Sequence, residues 1–229
     1  MSGYFLIVIV FSVIGMIISG KLKSTFTKYG KVGISSGMSG AEVAKAMLDH
    51  YGIHDVKIVP GRGALTDHYN PLTKTIALSE PVYASRSISA AAVAAHECGH
   101  AVQHATAYKM LAFRSSLVPI VKFSSTIQQF LFLGLIFMGG TAIFSSNFFM
   151  GILAATFGAT ALFALVTLPV EFDASRRALA WLDDTGITRG AEYDGAKDAL
   201  WWAAMTYVSN ALASLAMFLF FLLRFMNND

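Results

Sequence analysis

His96, Glu97 and His100 form an H-E-x-x-H pentad, His96-Glu97-Cys98-Gly99-His100. It lies within Ala92 to His104, a run of good helix formers. Residues four apart share one face of a helix, so the two imidazoles point the same way and can bind one Zn²⁺ at about 2.0–2.1 Å. Glu97 is turned about 100° from His96 at 3.6 residues per turn, so it flanks the metal and can take a proton from a metal-bound water. That combination is the signature of a zinc-dependent hydrolase. The competing reading, two solvated histidines on a surface helix, conflicts with the small apolar residues on both sides of the pentad.

A catalytic zinc site usually has three protein ligands and one open position. The best remaining candidate is Glu171, in Leu168-Pro169-Val170-Glu171-Phe172-Asp173-Ala174-Ser175-Arg176-Arg177. An acid at the end of an apolar span is costly unless it meets a partner or water, and a metal is one such partner. A glutamate or Asp173 favoured by a helix N-terminus is the plainer explanation. His104, His68 and Asp67 are the alternative third ligands. His104 continues the face of His100 but lies two turns from His96. The lone cysteine, Cys98, rules out an internal disulfide and reads as a small buried residue inside the pentad.

The elements that must position these groups are mostly apolar. Of 229 residues, 55% are hydrophobic and 14% charged, against about 25% charged in soluble domains. The expected fold class is mainly α and integral to the membrane: four transmembrane helices with a cytoplasmic α+β, zincin-like metallopeptidase domain. Uncharged runs at 1–20, 123–144, 148–170 and 203–223 are the four spans; about 20 apolar residues cross ~30 Å of hydrocarbon. The first run has no basic segment before it and no clear cleavage site after it, so it reads as a retained anchor. Ser145-Ser146-Asn147 is a polar break that makes spans two and three a hairpin. The intervening regions are 21–122, a metallopeptidase region bearing the pentad, and 171–202, a third-ligand helix region.

Those two regions hold 16 of the 17 Lys and Arg residues, Arg224 being the exception. The positive-inside rule places them in the cytoplasm, with both termini and the hairpin tip outside. Trp201 and Trp202 adjoin span four, where an interfacial belt is expected. The net charge of +3 is too small to argue for a nucleic-acid partner. Between the first span and the pentad, Ser39 and Glu42 fit a capping box for a helix that stops before Gly52. Val56–Val59 and Thr73–Leu78 read as strands, with Asn70-Pro71 a turn between them. Ser87 or Ser89 would cap the metal helix.

The pentad and Leu168–Ser175, with Asp67-His68-Tyr69-Asn70-Pro71 and Leu78-Ser79, resemble the YugP-like family of bacterial membrane neutral zinc metallopeptidases. The resemblance runs from the first span to the last. The chain is more remotely similar to HtpX-type membrane gluzincins, whose third ligand is a Glu on a later helix. The resemblance implies His96, His100 and Glu171 as ligands of one Zn²⁺ per chain, and Glu97 as base. Gluzincins commonly carry an Asp four residues after that Glu; here the position is Ser175, and Asp173 lies about 200° around the helix from Glu171. Ser175 and Asp173 are therefore candidates to orient the histidines.

The expected reaction is peptide-bond hydrolysis at the cytoplasmic surface of the bacterial inner (cell) membrane, on a membrane-proximal protein or peptide. His68, Tyr69, Arg176 and Arg177 are candidate oxyanion donors; loop packing and lipid-headgroup contact are their plainer roles. The strand at 73–78 is expected to offer an edge to an extended substrate. Two other readings compete. A scaffold retaining a structural zinc needs no base, so Glu97 argues against it. A metal transporter needs ionisable residues within the spans, which carry no acidic or basic residue.

Overall fold

The computed structural model describes residues 2–63, 65–137 and 146–227. Among the described residues ten elements follow one another: α1 (Ser2–Tyr29), α2 (Gly40–His50), β1 (Lys57–Gly61), β2 (His68–Asn70), β3 (Thr75–Ser79), α3 (Glu80–Tyr83), α4 (Ile88–Ala105), α5 (Lys109–Phe137), α6 (Asn147–Asp184) and α7 (Ala191–Asn227). Four of these, α1, α5, α6 and α7, are long and apolar enough to cross a membrane. Each outruns its apolar segment. α6 continues from 170 to Asp184 and α7 begins twelve residues before Ala203; α6 runs on through Pro169, whose nitrogen has no hydrogen to donate. Of the expected polar break, Ser145 lies outside the described residues, and Asn147 already opens α6.

The chain divides into two compact units. The first comprises Met1–Ile18, Ala112–Leu168 and Thr206–Asp229. Its core is small and aromatic: Met150, Leu153 and Phe221 are buried, and Phe157 stacks on Phe221 with ring centroids 5.2 Å apart. Phe130, Phe148 and Leu212 instead face outward, as a lipid-facing surface requires.

The second unit, Ser19–Leu111 and Pro169–Met205, carries the pentad. Its centre is α4, where Ala90, Ala91, Ala92, Ala94 and Ala95 are all buried. Side chains this small let neighbours approach from every side, so the helix is enclosed rather than amphipathic. Ser87 caps it, its Oγ accepting from the Ala90 N–H. The Ser39–Glu42 capping box forms at the start of α2, and the chain leaves that helix through Gly52 at φ +66°, a conformation glycine adopts without penalty.

The sheet differs from expectation in one respect. The order is β1-β3-β2, with β1 parallel and β2 antiparallel to β3. β2 is too short to show an alternating pattern, so sequence periodicity passes over it. Its presence makes Thr75–Ser79 the central strand, paired on both sides, and removes the edge expected there for a substrate. The edges belong to β1, where Pro60 is tolerated, and β2. The Asn70 side chain accepts from the Leu72 and Thr73 N–H groups, closing the turn that separates β2 from β3.

Candidate metal centre

The side chains that could hold a metal ion come from two helices of the second unit. His96 and His100 lie one turn apart on α4, their rings 4.8 Å apart. Glu171 arrives from α6, and the three side chains' ligand atoms all fall within 4.8 Å of one another. Glu171 Oε2 is 3.3 Å from His96 Nε2 and 3.5 Å from His100 Nε2. Ligands at about 2.0–2.1 Å from a tetrahedral zinc are separated by roughly 3.3–3.4 Å, so this spacing fits the ion. Two imidazoles and one carboxylate are also the donor set of a catalytic rather than a closed structural zinc site. Glu171 is 2% exposed, against 13% for His96 and 10% for His100, so the carboxylate is the most deeply buried of the three.

Electrostatics agree with that geometry. Burial pulls the His100 pKa down, but the hydrogen bond and negative charge of Glu171 outweigh it, so the group is raised. Burial would raise the Glu171 carboxyl; the bonds and charges of His100 and His96 hold it well below the usual carboxylate range. A buried carboxylate that stays charged needs a cation, and a metal meets that need as well as imidazolium does. Cys98, fully buried, has its thiol pushed well above its ordinary value by burial and then by the charge of Glu97. Its Sγ lies 3.4 Å from the Ala44 carbonyl oxygen, outside the cluster of His96, His100 and Glu171. Glu97 is 8% exposed, and its charge also acts on His100.

The distal nitrogens of both histidines are engaged. Ser175 Oγ lies 3.0 Å from His96 Nδ1, on the position where gluzincins carry Asp. His100 Nδ1 lies 3.0 Å from Gln103 Oε1. The amide of Gln103 donates from Nε2 to the Val170 carbonyl (2.8 Å) and to Asp173 Oδ2 (2.9 Å). Both of those partners only accept, so Oε1 must be the accepting end and His100 must donate from Nδ1. In neutral imidazole that leaves the Nε2 lone pair for a metal. Asp173 thus supports His100 one step removed, and Gln103 bridges the angular gap between Asp173 and the metal face. Arg176 and Arg177 both pair with the Asp173 carboxylate.

Gln103 was not singled out by sequence, although it is fully buried. Its i+3 offset from His100, polar in an otherwise apolar stretch, is the signal that could have found it. The remaining candidates lie outside the cluster. His104 bonds through Nδ1 to the Tyr69 hydroxyl at 2.8 Å. His68 Nδ1 bonds the Thr66 carbonyl. Asp67 accepts from the backbone and side chain of Ser79. Arg177 also stacks over Tyr108. These contacts give His104, His68 and Asp67 structural partners instead of a place among the ligands.

Comparison with known proteins converges on the same chemistry. A family model described as "Putative neutral zinc metallopeptidase" matches residues 4–226. The chain is 46% identical over 207 residues to "Putative membrane protease YugP" of Bacillus subtilis (strain 168), covering 90% of this chain and 89% of that protein. No solved structure matches. A match that begins in the first apolar helix and ends in the last takes in the pentad and Glu171 alike, and the chain belongs to the neutral zinc metallopeptidase family.

Proposed function

We propose that this protein is a zinc metalloendopeptidase acting at the cytoplasmic surface of the bacterial inner membrane, with both termini on the outer side. His96, His100 and Glu171 hold one zinc ion, and the substrate is a membrane-proximal protein segment. The observation that carries the reading is the approach of Glu171 Oε2 to within 3.3 and 3.5 Å of the two imidazole nitrogens. The 46% identity to a protein named as a membrane protease and the asymmetry of Lys and Arg support the activity and the orientation.

Zinc bound by these three residues would polarise the scissile carbonyl and acidify a water molecule. Glu97 takes the proton of the attacking water and delivers it to the leaving amine. Ser175 and Gln103 keep the imidazoles turned so that their Nε2 lone pairs converge. An extended substrate pairs along β2, the sheet edge tied to the metal helix through the Tyr69–His104 hydrogen bond.

The experiment is Glu97→Gln in the full chain. The variant should bind one zinc as the wild type does, while membrane proteins that the wild type degrades accumulate in cells. Turnover unchanged by Glu97→Gln would defeat the protease reading and leave a scaffold with a retained zinc site.

A further inference from the structure

Past the third apolar run, the turns of α6 from Phe172 to Ala180 face those of α7 from Tyr193 to Ala204 across a groove of ≈ 330 Å³. Ten residues line it; two, Arg176 and Lys197, are cationic, and none is acidic. Two acids on these helix turns are committed elsewhere. Asp198 accepts from the Tyr29 hydroxyl, and Asp173 from Gln103 and both arginines. One carboxylate shared by two guanidiniums leaves a positive charge over, and Arg176 has further N–H donors for an oxyanion. The rest of the groove is largely apolar, and two of its three aromatic rings, Phe172 and Trp201, are exposed. In sequence it adjoins apolar runs on both helices, the level at which tryptophan meets headgroups.

Two cations and a tyrosine at the lip of an apolar trough fit a phosphodiester with an acyl chain attached. We infer that this groove binds one anionic phospholipid, its phosphate between Arg176 and Lys197 and the start of its chain along Phe172 and Trp201. The site shares a wall with the metal centre, because Ser175 both lines the groove and bonds His96. It stands independently of the peptidase reading.

The test is native mass spectrometry of the full chain released from nanodiscs of equal phosphatidylglycerol and phosphatidylcholine. Each cation near a headgroup favours the anionic lipid by about five-fold, so two give a retention ratio of roughly 25. Lys197→Gln should cut that ratio about five-fold, whereas Lys57→Gln, on β1 outside the groove, should leave it unchanged. Lys197 is exposed, and matching thermal unfolding of the variant establishes that it folds. Equal retention of the two lipids, or a Lys197→Gln ratio like the wild type's, overturns the inference. So does displacement of the lipid by soluble glycerol phosphate, which marks a headgroup-only site, or by an acidic peptide, which marks a peptide groove.

Discussion

Replacing Gly99 by alanine tests how the metal centre is assembled. A Cβ at position 99 would lie 2.6 Å from the Ala174 carbonyl oxygen and 3.1 Å from that residue's carbonyl carbon and Cα. These are backbone atoms of α6, so no side-chain rotation relieves the clash. Reaching ordinary contact, which begins at 3.4 Å, requires α4 and α6 to part by about 0.8 Å locally. Glu171 lies three residues before Ala174 on the same helix and would move with it, whereas metal sites tolerate shifts of about 0.2 Å. We expect zinc affinity to fall at least 10–100-fold, the loss seen when support around a metal ligand is removed, and stability to fall by about 1–3 kcal/mol from overpacking. The assay is zinc competition against a chromogenic chelator on the detergent-purified chain, with thermal unfolding measured beside it. Gly20→Ala is the control, since a Cβ there meets nothing within 4 Å; it should be neutral or stabilising by up to about 1 kcal/mol. Gly99→Ala protein that binds zinc within two-fold of wild type and melts at the same temperature would refute the claim that this close approach places Glu171.

The other predictions concern the groups around the ion. Glu97→Gln should keep zinc stoichiometry and lower peptide turnover by about 10²–10⁴-fold or more, measured by metal analysis alongside a proteolysis assay. Glu171→Gln should instead lose the metal, and equal zinc content in the two variants would contradict the assignment. Gln103→Leu leaves the Asp173 carboxylate and the Val170 carbonyl without their amide donor; we expect a cost of about 1–3 kcal/mol and a 10–100-fold weaker zinc site, read from melting and chelator competition. His100 has a raised pKa in the metal-free chain, so its pairing with Glu171 stabilises the fold below the ordinary histidine value and is lost as pH rises through the raised one. Zinc requires the unprotonated ring, so apparent zinc affinity should keep climbing above pH 6.5, the ordinary value, with proton release detectable in weakly buffered solution. A plateau below that pH would count against the His100–Glu171 pairing.

The pentad, the four apolar helices and the caps at Ser39 and Ser87 were legible because each depends on short-range periodicity or local hydrogen bonding. The metal helix is enclosed because its flanking residues are alanines, and that too is visible in the chain. The strand at His68–Asn70 was not legible. Three residues show no alternation, and only pairing with Thr75–Ala77 makes them a strand. That pairing moved the substrate-edge expectation from β3 to β2. Gln103 escaped for a related reason: a buried glutamine gains its role only when Val170 and Asp173 arrive from a helix 67 and 70 residues away.

Helical spacing alone determined that His96 and His100 share a face and that Glu97 flanks it, since 3.6 residues per turn leaves no choice. Residue types determined that the long apolar runs seek hydrocarbon, because uncharged stretches of that length are poorly solvated. Tertiary structure decided which acid joins the imidazoles, which groups steady their far nitrogens, and why position 99 has no side chain. Those outcomes depend on the close backbone approach of α4 and α6 at Gly99 and Ala174, which no spacing along a single helix encodes.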